Sequence, residues 1–138
     1  MLPVPFTIDA LKSVLGEPSR VANVVDMVYT WDDAGVHAYV KMNSNQVHEL
    51  NFTLNDPGMT RLQPKSSFPH EIQVGMVPIT SATTPADLTP AGFKSKYGIP
   101  NEQIKVVGSV YVTVRYDKQT QTRIGEVYFT VPALEFGK

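Results

Sequence analysis

The chain of 138 residues contains no cysteine. This absence excludes a disulfide framework, a thiol nucleophile and a metal site built on thiolates. No apolar stretch approaches the roughly 20 residues that span a bilayer, and the first residues lack the basic start and apolar run of a signal peptide. We therefore expect no membrane partner and a cytoplasmic location, or a periplasmic one if a leader was removed before Met1.

An excess of charge of one sign is also missing. Lysine and arginine number 12 against 13 aspartates and glutamates, for a net charge of -1. A nucleic-acid-binding protein normally shows a basic stripe, so we expect no nucleic-acid partner. The apolar fraction of 42% and the charged fraction of 18% are typical of an ordinary folded domain, and the length suffices for a core without metals or disulfides.

The familiar catalytic motifs are absent as well. The chain has no P-loop, no dinucleotide-binding glycine fingerprint and no G-x-S-x-G sequence. The three histidines are not at metal-ligand spacing, and the adjacent Asp32 and Asp33 would point to opposite faces of a strand, unlike a catalytic carboxylate pair. We predict no catalytic residues, no metal, no cofactor and no enzymatic activity. An enzyme of unfamiliar type would need a polar pocket that the sequence does not locate.

What the chain does contain is a pattern that occurs twice. Residues 10–18 align with residues 92–100, sharing a lysine, a serine, a glycine and a proline. Two flanking blocks keep the same order: 4–7 aligns with 77–80, and 49–54 aligns with 126–131. Three similar blocks in one order indicate an internal duplication.

Each copy is predicted to begin with a short helix. Thr7 suits the N-cap of the first helix, and Gly16 suits its end. In the second copy, Phe93 and Tyr97 would lie on the buried face, and Gly98 would end the helix. The candidate starts of the second helix are Thr84-Pro85 and Thr89-Pro90.

Strands should follow, because apolar and polar residues alternate with a period of two. The alternating runs are 27–31, 36–42, 47–54, 71–80, 110–116 and 124–131. The side chains expected in the core are Leu50, Phe52, Leu54, Val127, Phe129 and Val131. Those expected on the outward, solvated face are His37, Tyr39, Lys41, Glu49, Asn51, Tyr111, Thr113, Arg115, Glu126, Tyr128 and Thr130.

These elements predict an α+β fold, in which two repeated helix-plus-antiparallel-meander units share one sheet and the helices lie on one face. The whole chain, 1–138, would be one domain. It would consist of repeat 1 (4–54), a connecting loop (55–70) and repeat 2 (77–132).

The outward face is the predicted binding site, because tyrosine and arginine are enriched at protein interfaces. The segment around Trp31 is either a recognition loop with two carboxylates or a strand that ends in a turn, with Trp31 in the core. The outward face could equally be an ordinary solvated one. The predicted partner-binding residues are Asp32, Asp33, Tyr39, Lys41, Tyr111, Arg115 and Tyr128.

The helix ending in Leu15-Gly16-x-Pro18, followed by a strand with Tyr29-x-Trp31-Asp32 and a meander, resembles two bacterial families. The outer-membrane assembly lipoproteins have one such unit. The beta-lactamase inhibitory proteins have two in tandem and hold their enzyme on the open sheet face. The chain departs from the inhibitory proteins in having no disulfides, and its second copy has Val112-Thr113-Val114 in place of Tyr29-Thr30-Trp31.

The chain also resembles small bacterial proteins encoded beside secreted toxins, which implies an immunity protein. We therefore predict a non-enzymatic binding protein, an inhibitor or immunity protein that blocks a bacterial toxin or enzyme by steric occlusion. Its carboxylates would favour a protein partner with a basic patch. The alternative is an envelope assembly or structural interaction module. The sequence leaves the oligomeric state open.

Overall fold

The structure is a computed structural model that describes residues 6–96, 99–108, 110–117 and 122–131. Its helices are α1 (Ile8–Leu15) and α2 (Pro85–Leu88). Its strands are β1 (Phe6–Thr7), β2 (Arg20–Asn23), β3 (Met27–Trp31), β4 (Val36–Val40), β5 (Gln46–Thr53), β6 (Ile72–Val74), β7 (Val77–Ile79), β8 (Lys94–Lys96), β9 (Ile99–Val107), β10 (Val110–Tyr116) and β11 (Ile124–Thr130).

One large antiparallel sheet organises the chain. Its strand order is β2-β3-β4-β5-β11-β10-β9-β8, and β1 pairs additionally with β5. Two runs of sequentially connected strands meet where β5 pairs with β11, with Phe52 opposite Val127 and Leu50 opposite Phe129. Strands β6 and β7 form a separate two-stranded sheet. The prediction of an antiparallel sheet is therefore confirmed.

The predicted α+β class, with two repeated helix-plus-meander units, is wrong, because the fold is mostly β. The two helices have only eight and four residues. The second expected helix, over residues 93–97, is absent where the structure describes it, since Lys94–Lys96 is a strand paired with β9. Thr89-Pro90 starts no helix, and Gly92 takes a φ of +95° in the following turn. Tyr97 and Gly98 lie outside the described residues. The four-residue spacing of Phe93 and Tyr97 suggested a helix, but it is a weak local preference. Pairing of this segment with β9 overrides it.

The cap signals on the two observed helices are correct. The Thr7 hydroxyl accepts a hydrogen bond from the Ala10 amide at 3.1 Å. Gly16 ends α1 at φ +82°, and its amide donates to the Lys12 carbonyl at 2.8 Å. Thr84 and Asp87 form a capping box at the start of α2, with Pro85 in the first turn. These contacts involve near neighbours in the chain, which is why the sequence predicts them.

The apolar face of the large sheet carries the core. One cluster includes Trp31, Val36 and Leu50, and the other includes Leu54, Val114 and Val127. Of the six predicted core residues, Leu50, Leu54, Val127 and Val131 are buried, whereas Phe52 and Phe129 are partly buried and pack against both clusters. The core interpretation of Trp31 is confirmed, and its Nε1 donates to the Gly16 carbonyl at 2.9 Å.

The run at 71–80 is two strands rather than one. Gly75 turns the chain at φ +62°, and Met76 is 95% exposed at the tip of this turn. Strands β2 and β9 were not predicted. Within the described ranges, none of the helices combines the length and apolar character needed to cross a membrane.

Candidate binding site on the polar face of the sheet

The face opposite the core, here called the polar face, has side chains arranged in three rows that cross the strands. The first row is Val28, Tyr39, Glu49, Thr130, Tyr111 and Val106. The second row is Arg20, Thr30, His37, Asn51, Tyr128, Thr113 and Ile104. The third row is Thr53, Glu126, Arg115 and Glu102. Register thus brings together residues that are distant in the sequence.

Among the side chains of these three rows only Tyr111 and Val106 are exposed, so the expectation of a solvated face is wrong. The buried polar side chains are Thr30, His37, Asn51, Thr53, Thr113, Arg115 and Glu126. Period-two alternation placed these side chains on one face correctly, but alternation alone says nothing of what covers that face.

The cover over the first half of the face is the segment 58–66, here called the covering loop. The guanidinium of Arg20 donates to the Gln63 carbonyl at 2.7 Å and also to the Arg61 carbonyl. The Thr30 hydroxyl donates to the Leu62 carbonyl at 3.0 Å. Because these bonds run from strands β2 and β3 to loop carbonyls, they fix the loop over the second row.

Asp32 anchors the same loop. Its carboxylate pairs with the Arg20 guanidinium through two contacts of 3.1 Å and accepts from the Lys65 amide at 3.0 Å. The hydrogen bond from Arg20 lowers the pKa of Asp32, and the same bond raises the pKa of Arg20. Asp33 is exposed in the turn between β3 and β4. Asp32 is therefore a structural carboxylate, whereas Asp33 faces solvent.

Gly35, at the end of that turn, lets the chain after the covering loop approach closely. It has a φ of +73°, and a Cβ at this position would overlap the backbone of Ser67 and Phe68. Its carbonyl accepts from the Thr53 amide at 2.9 Å, and the Thr53 carbonyl accepts from the Phe68 amide at 2.7 Å. Any larger residue would force the loop away from the sheet.

A buried ionic network links the third row to Tyr128 of the second row. Arg115 pairs with Glu126 and donates from Nε to the Tyr128 hydroxyl at 2.9 Å, and that hydroxyl lies 3.2 Å from Glu126. Burial opposes the charge of Arg115, but the hydrogen bond and charge of Glu126 outweigh it and raise the pKa of Arg115. Burial, then the charge of Glu126, raises the pKa of Tyr128, which stays neutral. Arg115, Tyr128 and Glu126 thus supply one another with hydrogen-bond partners.

A cavity of about 180 Å³ lies between the covering loop and the sheet. Its lining residues are His37, Tyr39, Glu49, Asn51, Thr60, Gln63, Glu126 and Tyr128. It is the polar pocket that the sequence did not locate. Its volume lies below the roughly 300–1,000 Å³ of a drug-sized ligand site, so it suits a small group.

Two deeply buried polar atoms on the cavity wall lack a hydrogen-bond partner among the described residues. They are Nδ1 of His37 and Nδ2 of Asn51, whose residues are 3% and 1% exposed. Burial lowers the pKa of His37 to about 4, so its imidazole is neutral at pH 7. Because buried polar groups are nearly always hydrogen-bonded, these atoms indicate a position that water or a ligand group completes.

The part of the polar face that stays open is the far end of the first row. Tyr111 is 42% exposed, and its cross-strand neighbour Val106 is 58% exposed. Lys41 is exposed just beyond β4, and Tyr39 is half-buried at the cavity.

The predicted partner-binding residues therefore fall in four places. Asp32 and Asp33 lie at the β3–β4 turn, Arg115 and Tyr128 in the ionic network, and Tyr39 on the cavity wall, while Lys41 and Tyr111 are exposed at strand ends. Sequence reasoning missed Arg20, Thr60 and Gln63, because their role depends on where the covering loop lies. Across the part of the chain that the structure describes, no cluster of three or more histidines and carboxylates is placed to hold a metal ion.

A family model described as Domain of unknown function (DUF7738) matches residues 1–89. The matched region contains β2–β5, the covering loop and every cavity residue except Glu126 and Tyr128. A search of curated proteins gave no match.

Among solved structures, the chain is similar to a cysteine-rich secretory protein from Staphylococcus aureus subsp. aureus Mu50. The identity is 13% and the TM-score 0.45, over 93% of this chain and 44% of that one. This chain thus spans less than half of that protein's length, and a likeness at this level supports no inference about function.

Proposed function

We propose a non-enzymatic binding function for this chain, which belongs to the family described as Domain of unknown function (DUF7738). The partner is a protein held on the open end of the first row. The role is that of an inhibitor or immunity protein, which blocks a bacterial toxin or enzyme by steric occlusion. The sequence resemblance alone supports this role, and the geometry bears on where the partner would bind.

The observation that carries the proposal is the pair Tyr111 and Val106, exposed side by side on the neighbouring strands β10 and β9. Tyrosine offers an apolar ring and a polar tip, a combination enriched at interface hot spots. The strands beneath are held by cross-strand pairing and a buried core. Such a preformed surface loses little conformational entropy on binding.

The charge around the first row favours a partner with a basic patch. Glu49 lies in this row, and Asp33 is exposed at the other end of the strands. The sequence predicts that Asp32 and Asp33 together favour a basic partner. Because Arg20 neutralises Asp32, only the charge of Asp33 is available for that role. An exposed carboxylate such as Asp33 mainly raises the rate of association with a cationic surface.

The test is capture of a partner from the source cells, followed by binding measurements on variants. Tyr111→Ala should weaken binding by at least about 2 kcal/mol, as expected of a hot-spot tyrosine, and Val106→Ala should weaken it by about 1 kcal/mol. Met76→Ala is the matched control, because Met76 is a large exposed side chain on the β6–β7 hairpin.

A partner whose affinity is unchanged by both first-row variants would show that this surface is not the site. Turnover of a small molecule by the purified chain would show that the non-enzymatic assignment is wrong. A captured envelope assembly protein, rather than a toxin or enzyme, would favour the structural module.

A further inference from the structure

The cavity beneath the covering loop is a second feature of the polar face, and docking on the first row does not explain it. We propose that this cavity binds a small cationic group carrying N–H donors, a primary ammonium or a guanidinium. The charges of the cavity wall, its unpartnered polar atoms and the size of the cavity all favour such a group.

The wall is acidic and aromatic. Glu49 and Glu126 contribute carboxylates, Tyr39 and Tyr128 contribute rings, and none of the eight lining residues is a lysine or an arginine. Arg115 offsets the charge of Glu126 from outside the cavity. Even so, the carboxylates of Glu49, Glu126 and Asp26 together raise the pKa of Tyr39 after the effect of burial. An anion would be repelled here, whereas a cation gains from the carboxylates and from the tyrosine faces.

The two unpartnered atoms differ in what they can bind. Nδ1 of the neutral His37 imidazole can accept from an N–H donor when the ring proton is on Nε2, whereas Nδ2 of Asn51 is itself a donor and needs an acceptor. His37 and Asn51 face each other across the β4–β5 pair and both line the cavity. An ammonium or guanidinium N–H can therefore donate to the His37 imidazole while a carboxylate neutralises its charge, and a water oxygen can accept from the Asn51 amide nitrogen.

The size of the cavity limits the ligand to a single functional group with a short stem. About 180 Å³ corresponds to the share of about six water molecules in the liquid. A guanidinium or an alkylammonium fits within this space and leaves room for water to reach the Asn51 amide nitrogen. A nucleotide does not fit.

Two sources could supply this group. One is a free small amine or guanidine. The other is a lysine or arginine side chain of a protein docked on the first row, because Tyr39 and Glu49 belong both to that row and to the cavity wall. The second source rests on the proposed function, whereas the first does not.

The experiment is an NMR titration of the full chain with methylguanidinium, and with N-methylurea as the neutral probe of similar shape. Methylguanidinium should produce saturable shifts in the side-chain signals of His37 and Asn51, and should bind at least about tenfold more tightly than the urea, which is roughly 1.4 kcal/mol. Equal binding of the two probes, or no saturable shift at either residue, would overturn the proposal.

Variants then test the role of the wall. Glu49→Gln should weaken methylguanidinium at least fivefold, and Tyr39→Leu should weaken it further through loss of the ring. Glu17→Gln, the same change at an exposed position on the loop after α1, should have no effect. If Glu49→Gln and Glu17→Gln behave alike, and Tyr39→Leu changes nothing, the cavity is not the binding position.

A third probe separates the two sources. Arginine blocked at both ends presents its guanidinium as a protein side chain would. Binding of blocked arginine at least as tight as that of methylguanidinium supports a partner side chain. Binding of methylguanidinium alone supports a free small cation. Either result keeps the cavity assignment, even if the first-row partner surface fails its own test.

Discussion

Both faces of the large sheet carry buried side chains on β5 and β11, but these side chains are buried by different means. On β5, Leu50 points into the apolar core while its neighbour Asn51 lies beneath the covering loop, and the two are 3% and 1% exposed. On β11, Val127 and Glu126 are likewise buried on opposite faces. Apolar side chains pack against one face. On the other face, the covering loop lies over part of the sheet, and the buried charges of the face pair with each other in the ionic network.

This difference separates stability from recognition. Apolar burial contributes about 25 cal/mol per Å² removed from water, with no directional requirement. A buried ion pair such as Arg115–Glu126 roughly offsets its own desolvation and contributes little net stability. The apolar face therefore supplies most of the folding free energy, while the polar face holds specific groups in fixed positions. A set of fixed polar groups beside a cavity is what a binding site requires.

The largest expected effect comes from breaking the ionic network on one side only. Arg115→Leu leaves the Glu126 carboxylate buried without its cation, which should cost about 3–5 kcal/mol of unfolding free energy. The double variant Arg115→Leu with Glu126→Leu should recover most of that loss. Denaturant melts measure both, with the exposed Arg123→Leu as control. A single variant that loses under about 1 kcal/mol would mean that the pair is effectively solvated.

The next effect tests the apolar face. Phe129→Ala should cost about 3–4 kcal/mol, the lower part of the range for a truncated phenylalanine, because its ring is only partly buried but contacts both clusters. Phe52→Ala should behave similarly, since the two rings lie 5.7 Å apart between centroids. Val25→Ala, at a position that is 83% exposed, should change stability by less than about 0.5 kcal/mol. If Phe129→Ala and Val25→Ala lost the same unfolding free energy, the Phe129 ring would not be packed between the two apolar clusters.

The third prediction concerns pH and the neutral His37. Its pKa is lowered to about 4 in the fold, against about 6.5 in the unfolded chain. The unfolded state therefore takes up the proton first, so stability is full above pH 6.5 and falls as pH drops from 6.5 to 4. The total loss from this residue should be up to about 3 kcal/mol.

His37→Gln cannot be protonated and should lose less stability over that interval than the natural chain. Melts at pH 7, 5.5 and 4 compare the two slopes, and His70→Gln, at an exposed position, is the control. Parallel slopes for the natural chain and His37→Gln would contradict burial of this imidazole.

The smallest expected effect tests the attachment of the covering loop. Asp32→Asn removes the charge that holds Arg20 and weakens the bond from the Lys65 amide, at a cost of about 1–2 kcal/mol. Cleavage by trypsin after the exposed Arg61 should become faster, because the loop opens more often. Asp33→Asn, one residue further on and exposed, should leave both measurements unchanged. Unchanged cleavage in Asp32→Asn would show that the other contacts hold the loop.

Some of the candidate site could be predicted from the sequence. The alternation in β4, β5 and β11 placed His37, Asn51 and Tyr128 on one face, and the structure confirms this through the register of the strands. What could not be predicted is the burial of that face. Thr60 and Gln63 close the cavity from a loop without periodicity. The bonds that hold this loop come from Arg20 and Thr30, which are more than 30 positions away in the sequence.

The sequence by itself determined the local features of the chain: the Thr7 cap, the Gly16 helix end, the capping box at Thr84 and the strands with a clear period of two. Each depends on interactions between residues a few positions apart, or on one face being apolar. The tertiary structure decided that residues 94–96 pair as a strand and that Arg115 and Glu126 are buried together. It also decided that the covering loop closes a polar cavity. These outcomes depend on contacts between distant segments, whose free energies override weak local preferences.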